Sequence, residues 1–314
     1  MPEIWLPYGK IEVPIEVKME NLTHVTEVNT FSTPEINWDL VPKVDQETLI
    51  IVPEMTVASE NMLIALLEHQ KTTGGDLKSM KIVSKYSSPS FKKSLTPYGV
   101  TFHQLSHDST DLKVVDEARV RIPSEFLMPG KKIMLTQVGF DPLFGFSGGP
   151  ISLLKYLDNN FMGEALARRV GDNPLSGEDT APSKFAAKII EQFGEILSIE
   201  CQPQKDNRLR AYVGEVNSIH KAASKDLLED RTENLDHQPM IIAASTGGHP
   251  YDDTLTNTLN ALFNVTHGTA EKRSILLFGE CGSGLGSKAL WMKAIGRLNR
   301  TSLLNKKQYV DGME

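Results

Sequence analysis

The hydrophobic and polar positions along the chain follow two alternating periods, which predicts strands and helices in turn. Residues 11–17 place an apolar side chain at every second position, as in a half-buried strand. Pro7 and Pro14 favour an edge strand or a hairpin, because proline cannot donate to a strand ladder. The short run 48–52 is apolar almost throughout, the pattern of a strand that is covered on both faces.

A helix is predicted after this buried strand. Residues 60–70 repeat apolar side chains three and four positions apart, at Met62, Leu63, Leu66 and Leu67. Ser59 is the predicted N-cap, and the next strand is predicted over 80–84. Strand, helix and strand at this spacing form a βαβ unit, whose parallel sheet needs helices on its faces. We therefore expect an α/β fold of two domains, with largely parallel sheets and a cleft between them.

The same alternation continues downstream and indicates where the first domain ends. The predicted elements are a strand over 132–136, a helix over 151–157, an amphipathic helix over 182–197, a strand over 210–214 and a helix over 218–228. The polar stretch 230–239 ends in proline and is the best candidate for a linker.

A second α/β unit follows this linker. Its predicted elements are strands over 240–245 and 274–278 and helices over 255–263 and 288–298. We therefore divide the chain into a first domain over 1–237 and a smaller α/β domain over 238–314. Two strands are few for an independent core, so we expect either that the first domain lends it strands or that the smaller domain is truncated at its C-terminal end.

The composition excludes several classes of protein. Hydrophobic residues make up 40% and charged residues 23% of the 314 residues, which argues against wholesale disorder. The 33 Lys and Arg against 40 Asp and Glu give a net charge of −7, so no nucleic-acid partner is expected. Cys201 and Cys281 form no disulfide framework and fit a cytoplasmic location. Neither a signal peptide nor a membrane-spanning run is recognisable, so no membrane partner is expected.

Three glycine-rich loops follow predicted strands and carry the candidate chemistry. They are residues 141–150, 246–253 and 279–288. Each precedes a predicted helix, so backbone N–H groups at the helix start would face an anion. In an open α/β sheet, ligands gather at loops beyond the carboxyl ends of the strands. We therefore expect all three loops on the cleft side.

The first loop also satisfies the pattern G-x-S-x-G, at Gly145, Ser147 and Gly149. This pattern is the nucleophile elbow of α/β-hydrolases, in which a strained turn projects a serine. An acid and then a histidine are available later in the chain as Asp252 or Asp253 and His267. However, a proline after Asp141 interrupts the strand that the elbow needs, and a tight connection between strand and helix is the alternative interpretation.

The other two loops give less specific signals. His249 and Asp252 resemble part of a metal site, whereas the alternative is that Asp252 or Asp253 caps the next helix. The third loop is not a Walker A motif, because its serine precedes Lys288 instead of following it. Its Glu280 is either a functional acid or a buried structural one.

Two histidines outside the loops have open interpretations. His107 and Asp108 are adjacent, a pair that occurs in metal sites and also in helix caps and in cores. His220 lies inside the helix predicted over 218–228, where a packed histidine is more common than a catalytic one. The local sequence alone assigns neither histidine a functional role.

Six segments occur in one order between Leu6 and Ser287 and share a family pattern. They are Leu6-Pro7-Tyr8-Gly9-Lys10, Ser106-His107-Asp108, Phe144-Gly145-Phe146-Ser147-Gly148-Gly149, Gly171-Asp172-Asn173-Pro174, Ala244–Asp252 and Gly279–Ser287. Together these segments resemble the lactate racemase family, the nickel-pincer 2-hydroxy-acid racemases. The fourth, fifth and sixth resemble the family's G-N-P segment, its A-S-x-G-G-x-P-x-D turn and its A-E-C-x-x-G-x-G-S loop.

The resemblance implies a two-domain α/β protein with an active site in the cleft. In the family, a nicotinate-derived nucleotide with two thio-groups is tethered to a lysine, and this lysine, the thio-groups and a histidine hold nickel. The cofactor takes a hydride from C2 of the hydroxy acid, while a histidine on either side handles the hydroxyl proton.

This sequence departs from the family at the positions that hold the cofactor. Ile151 stands directly after Gly148-Gly149-Pro150, where the family has its tether lysine, and isoleucine cannot form the thioamide. The family has a histidine three residues before the segment that corresponds to Phe144–Gly149, and this chain has Asp141 at that position. The family's nickel histidine corresponds to a position near Ala167. Lys155 is the nearest lysine, and we expect the helix to aim it elsewhere.

The positions that bind the substrate also differ. The family's G-x-H-R-P segment corresponds to Tyr86-Ser87-Ser88-Pro89, and its D-x-T-R-P segment to Glu54-Met55-Thr56-Val57-Ala58. Both replacements lose an arginine. A lysine expected after the G-G-x-P turn falls at Asn260.

We therefore expect a divergent lactate-racemase-like protein without the covalent nickel-pincer cofactor, which binds a small anionic molecule in the interdomain cleft. An active 2-hydroxy-acid racemase or epimerase is one alternative, and a serine hydrolase that uses Ser147 is another. The candidate catalytic residues are Asp141, His107 and Asp108, and no metal ligand is assigned. The candidate ligand-binding residues are Thr56, Ser87, Phe146, Ser147, Gly148, Gly149, Gly247, Gly248, Asp252, Glu280 and Gly284.

Overall fold

The structure, a computed structural model, describes most of the chain in two compact units. The described residues are 3–18, 34–45, 47–78, 80–84, 89–103, 110–115, 118–127, 129–141, 144–157, 179–204, 208–231, 240–249, 251–259 and 274–286. The sheet unit comprises the described residues from 34 to 231, and the hairpin unit comprises residues 3–18 with those from 240 to 286. The predicted boundary at 237 lies outside the described residues, and the division into domains stays a prediction.

The elements alternate between strands and helices along the chain. They are β1 (Glu3–Tyr8), β2 (Ile11–Glu16), β3 (Leu49–Val52), α1 (Val57–Thr73), β4 (Lys81–Ser84), α2 (Pro89–Leu95), β5 (Thr101–His103), β6 (Thr110–Val115), β7 (Ala118–Pro123), α3 (Ser124–Leu127), β8 (Lys132–Gln137), β9 (Gly139–Asp141), β10 (Gly145–Ser147), α4 (Gly149–Leu157), α5 (Ala181–Ile190), β11 (Leu197–Pro203), β12 (Leu209–Glu215), α6 (Val216–Arg231), β13 (Ile241–Ser245) and β14 (Ser274–Phe278).

The sheet unit is built on a six-stranded sheet with the order β12-β11-β8-β3-β4-β5. Its neighbouring strands are parallel except for β11 and β12, which are antiparallel. Every residue of β3 is buried, as its continuous apolar pattern predicts. The core packs strand residues such as Ile50 and Ile133 against Leu63 and Leu66 of α1. The predicted α/β fold class is confirmed.

Helix α1 begins earlier than the sequence pattern predicts. Its N-cap is Thr56, whose side chain accepts a hydrogen bond from the Ser59 N–H, while Ser59 Oγ accepts one from the Thr56 N–H at 2.8 Å. This capping box satisfies two backbone donors at once. The prediction of Ser59 as the N-cap is therefore wrong by three residues. The helix ends at Gly74, whose φ of 76° is left-handed.

The helix predicted over 182–197 is shorter in the structure, and its last residue begins a strand. Helix α5 ends at Ile190 and is followed by one 3₁₀ turn, after which Gly194 adopts a φ of 74°. Strand β11 then begins at Leu197 and pairs with β8. The helix predicted over 218–228 is confirmed and is longer, since α6 spans Val216–Arg231.

The hairpin unit has two small sheets. Strands β1 and β2 form the predicted antiparallel hairpin, and β13 and β14 are parallel. Residues 255–259 are helical, while the rest of the helix predicted over 255–263 and all of the helix predicted over 288–298 lie outside the described residues. None of the helices in the described ranges combines the length and the apolar character that crossing a membrane requires.

Candidate functional site

The first glycine loop forms a small hairpin followed by a tight turn. Strands β9 and β10 pair antiparallel, with Ser147 opposite Gly139. The turn itself is made by Gly148 and Gly149, with φ of 100° and 41°, and α4 begins there. Ser147 therefore lies in an extended strand, and among the described residues only Cys281 has a positive φ without being glycine. The strained serine that a nucleophile elbow requires is not formed.

The two backbone N–H groups of the glycine turn have partners in the flanking strand and helix. The Gly148 N–H donates to Ser152 Oγ at 3.2 Å, and the Gly149 N–H donates to Thr136 Oγ1 at 3.3 Å. Pro150 has no N–H, and the Ser152 N–H donates to the Gly148 carbonyl at 3.1 Å. An anion at a helix start is held by N–H groups that lack a partner. The expectation that this helix start faces an anion therefore has no support from the geometry.

A buried acid and a histidine lie directly against the glycine turn. Nδ1 of His220 on α6 is 3.0 Å from Oε1 of Glu200 on β11. A Cβ atom on Gly148 would overlap Oε1 of Glu200, and one on Gly149 would lie 2.7 Å from Cγ of His220. We call Thr136, Gly148, Gly149, Glu200 and His220 the glycine-turn site. Only glycine fits at both turn positions because this pair occupies the space where a side chain would stand.

The pair is almost fully removed from water. The Glu200 side chain is 0% exposed and that of His220 is 11% exposed. An ionised carboxylate is only an acceptor, so Nδ1 is the donor of this hydrogen bond. Burial and, secondarily, the charge of Glu200 raise the pKa of the neighbouring Cys201 thiol. Cys201 therefore stays a neutral thiol and is a packing residue.

A second charged pair joins the first loop to α4. Lys155 Nζ is 2.5 Å from Oδ2 of Asp141, and the Phe144 N–H donates to Oδ1 of the same carboxylate at 2.9 Å. Burial lowers the pKa of Lys155, but the charges of Asp141 and Glu54 outweigh it and raise the pKa above its ordinary value. The expectation that α4 aims Lys155 elsewhere is wrong. Asp141, predicted as catalytic, is held in an ion pair.

The other predicted residues of the sheet unit have structural roles or are not described. Thr56 caps α1. Phe146 is 8% exposed and stacks on Phe140 with ring centroids 5.9 Å apart, so it packs in a small core cluster. Ser87, His107 and Asp108 lie outside the described residues.

In the hairpin unit, three sequence motifs meet at Gly9. Oδ2 of Asp252 accepts hydrogen bonds from the N–H groups of Gly9 at 2.6 Å and Glu280 at 3.1 Å. The His249 N–H donates to the Gly9 carbonyl at 2.7 Å, and a Cβ atom on Gly248 would lie 2.8 Å from the same oxygen. Asp252 is 0% exposed. Its carboxylate thus ties the hairpin turn to the second and third loops.

The third loop is bound to the second through its backbone. The Cys281 N–H donates to the Asp252 carbonyl at 2.9 Å, and the Ser283 N–H donates to the Asp253 carbonyl at 2.7 Å. The Gly284 N–H donates to the Cys281 carbonyl, and Gly284 has a φ of 82°. These donors are no longer available to a phosphate. The third loop is therefore hydrogen-bonded to the second loop and does not form the expected phosphate-binding site.

The second loop has neither the metal site nor the helix cap that its sequence suggests. His249 Nδ1 pairs with Asp253 at 2.5 Å, and no group of three His, Cys, Asp or Glu that could hold a metal occurs in the parts of the chain that the structure describes. The Gly247 N–H donates to Ser245 Oγ. The Asn257 N–H is capped by Thr254 Oγ1 at 3.2 Å, so the expectation of an aspartate cap is wrong.

Sequence comparison assigns no family: no family model and no curated protein sequence matches the chain. Among solved structures, the chain is similar to the lactate racemase apoprotein from Thermoanaerobacterium thermosaccharolyticum, with a TM-score of 0.65 and 15% sequence identity. This match covers 99% of the present chain and 85% of the racemase.

A second solved structure, a structural-genomics target from Thermotoga maritima, is also similar. Its TM-score is 0.53 at 11% identity, and the match covers 88% of this chain and 79% of that one. At such identities the likeness concerns the fold and carries no statement about activity. The chain therefore has a lactate-racemase-like α/β fold.

Proposed function

We propose that the chain is a divergent lactate-racemase-like protein that carries no covalently tethered nickel-pincer cofactor and binds a small anionic molecule, such as a 2-hydroxy acid, non-covalently. The proposal depends above all on the identity of the residue that follows the glycine turn and Pro150. Ile151 stands there, 1% exposed and part of α4, and it has no amine with which to form a tether.

The described residues do not fit the tethered group. Lys155, one helical turn after Ile151, already has its ammonium in an ion pair with Asp141. Its raised pKa keeps it protonated at neutral pH, and only an unprotonated amine is a nucleophile. The charged form is therefore favoured over the form that would become a thioamide.

Lys155 is instead suited to hold a carboxylate. Its side chain is 23% exposed, whereas that of Asp141 is 6% exposed, so a ligand reaches the lysine more readily than the aspartate. The N–H groups of Gly148, Gly149, Gly247 and Gly284 already have protein acceptors. A bound anion would thus depend on this cation and would compete with Asp141 for it.

The test is an NMR titration of the protein with lactate, using variants that change the two charges in opposite directions. Asp141→Asn removes the competing carboxylate, and we expect lactate to bind about 10-fold more tightly, or about 1.4 kcal/mol. Lys155→Met removes the cation, and we expect at least a ~10-fold loss.

The controls separate binding from folding. Lys155→Met leaves a buried carboxylate without this cation, so the double variant Asp141→Asn/Lys155→Met, which removes both charges, serves as its folded counterpart. Lys184→Met on α5 removes an exposed lysine and should leave the titration unchanged. Equal lactate affinity in all variants, or no binding by the wild type, would contradict the proposal.

A further inference from the structure

The outer face of the hairpin formed by β1 and β2 exposes a large aromatic side chain. Along β1, Ile4 and Leu6 are partly buried, whereas Glu3 and Trp5 are exposed, because alternate residues of a strand point to opposite faces. Trp5 keeps 48% of its surface exposed. Tryptophan is one of the residue types that most often carry the binding energy of protein interfaces, so the groups around it indicate what this face could bind.

The register of the hairpin places Trp5 between glutamates. Antiparallel partners point to the same face, and on the side of Trp5 they are the pairs Glu3–Glu16, Trp5–Pro14 and Pro7–Glu12. We call these six residues the hairpin face. Each pair lies about 7 Å from the next along the strands, because a strand rises ~3.4 Å per residue. The pairs on both sides of Trp5 therefore bring a carboxylate within reach of a group that stacks on its ring.

The hairpin face carries three negative charges that no described cation pairs with. Glu3 and Glu16 stand directly opposite each other, an arrangement that like-charge repulsion makes unfavourable. Within the described residues, these two carboxylates and that of Glu12 form no ion pair, although Lys10 and Lys18 are close in sequence. A positively charged group on this face would thus relieve the repulsion.

The edges of the hairpin are poorly suited to bind a further strand. Each strand contains one proline, Pro7 in β1 and Pro14 in β2, and proline has no N–H to donate to a neighbouring strand. The Pro7 carbonyl also already accepts a hydrogen bond from Ser245 Oγ at 2.5 Å. A partner would therefore bind to the exposed face through side chains and would not extend the sheet.

We propose that the hairpin face binds an arginine side chain on a basic segment of a partner protein, with the guanidinium group stacked on Trp5 and hydrogen-bonded to the neighbouring glutamates. A guanidinium group is planar and stacks on aromatic rings, and its fork of N–H donors matches a carboxylate. The three negative charges repel nucleic acids and anionic membranes. This surface is separate from the anion site proposed at Lys155, and the two proposals stand or fall independently.

The first test titrates the full chain with a tetra-arginine peptide, acetylated and amidated at its ends, and follows the indole N–H signals by NMR. We expect the signal of Trp5, identified by its loss in Trp5→Leu, to shift until binding saturates, while that of Trp38 in the sheet unit stays in place. By calorimetry, tetra-lysine should bind about 2- to 5-fold more weakly, because an ammonium group does not stack on the ring. A Trp5 signal that does not move with tetra-arginine, or equal affinity for the two peptides, would overturn the proposal.

The second test measures the affinity of variants for tetra-arginine by calorimetry. Trp5→Leu keeps an apolar side chain and should weaken binding about 2- to 5-fold. Glu3→Gln/Glu16→Gln should weaken it at least ~5-fold and make it less sensitive to salt. Glu191→Gln/Glu195→Gln removes the same charge from two exposed positions of the sheet unit and should leave the affinity unchanged. Wild-type affinity in both hairpin variants, or an equal loss in the control variant, would contradict this account of the surface.

Discussion

Two of the Gly-Gly turns of the chain, at 148–149 and 247–248, look alike in sequence but lie in different surroundings. Gly148 and Gly149 pack on the side chains of a buried acid and a histidine from β11 and α6. Gly248 packs on the backbone of Gly9, and the Gly247 N–H bonds to a side chain two residues earlier. The first turn thus covers titratable groups, whereas the second joins loops.

This difference shows which kind of bond organises each unit. Around the first turn, side chains from four elements bond in pairs, as Glu200 does to His220 and Lys155 does to Asp141. Around Gly9, a single buried carboxylate collects backbone N–H groups. A side chain in an ion pair can rotate to bind a ligand instead of its partner. A backbone N–H that bonds one loop to another can bind a ligand only if the two loops separate. The sheet unit is therefore the better place for a ligand.

The largest expected effect is that of a side chain in the first turn. Gly149→Ala should destabilise the protein by about 3 kcal/mol, because the new Cβ meets His220 at 2.7 Å and the residue has a left-handed φ. Urea unfolding measures this loss. Gly99→Ala is the matched control, since its φ is 65° in the left-handed region but nothing lies within 4 Å, so it should cost only about 1–2 kcal/mol. Equal losses would show that the His220 contact is not tight.

A smaller effect is expected in the hairpin unit. Asp252→Ala should cost about 2 kcal/mol, because it leaves the buried N–H of Gly9 and the partly buried N–H of Glu280 without an acceptor. Hydrogen exchange should show faster exchange at both amides. Asp253→Ala, which breaks only the partly exposed pair with His249, should cost less than about 1 kcal/mol. If the hydrogen-exchange rate of the Gly9 amide is unchanged in Asp252→Ala, the contact between the hairpin turn and the second and third loops does not depend on this carboxylate.

The smallest effect concerns pH in the sheet unit. Burial and then a hydrogen bond to Asp226 raise the pKa of Tyr212 to about 12, from 10.0 for a free phenol. The stabilisation by the neutral phenol is thus complete below pH 10 and is lost as the pH rises toward 12. Tyr212→Phe should lower the stability at neutral pH by less than about 1 kcal/mol and should flatten the alkaline decline. If the stability of Tyr212→Phe falls with rising pH as steeply as that of the wild type, the alkaline loss of stability comes from other titrating groups.

Much of the fold can be predicted from the local sequence pattern. The main error of that prediction lies at the candidate site. The apolar period of helix 182–197 continues through Phe193, and no local signal places the buried strand β11 directly behind it. Polar residues of β11 such as Ser198, Glu200 and Gln202 are buried, although alternation normally puts such residues toward water. Glu200 was therefore missed, because its partner is supplied by α6 across the sheet unit.

The site residues divide in a similar way. The glycine loops could be found from their sequence, yet their role depends on contacts between distant segments, such as Gly9 with Asp252. Lys155 was set aside because helix direction alone does not show that β9 places Asp141 within its reach. Helix caps were misassigned by two or three residues, since several Ser, Thr and Asp residues compete near each helix start.

The absence of a covalent tether is tested most directly by the intact mass of the purified full chain, with nickel analysis of the same sample. The account predicts the mass of the unmodified 314-residue polypeptide and no stoichiometric nickel. A mass increase of the size of a nucleotide on any lysine, Lys155 above all, together with one nickel per chain, would contradict it.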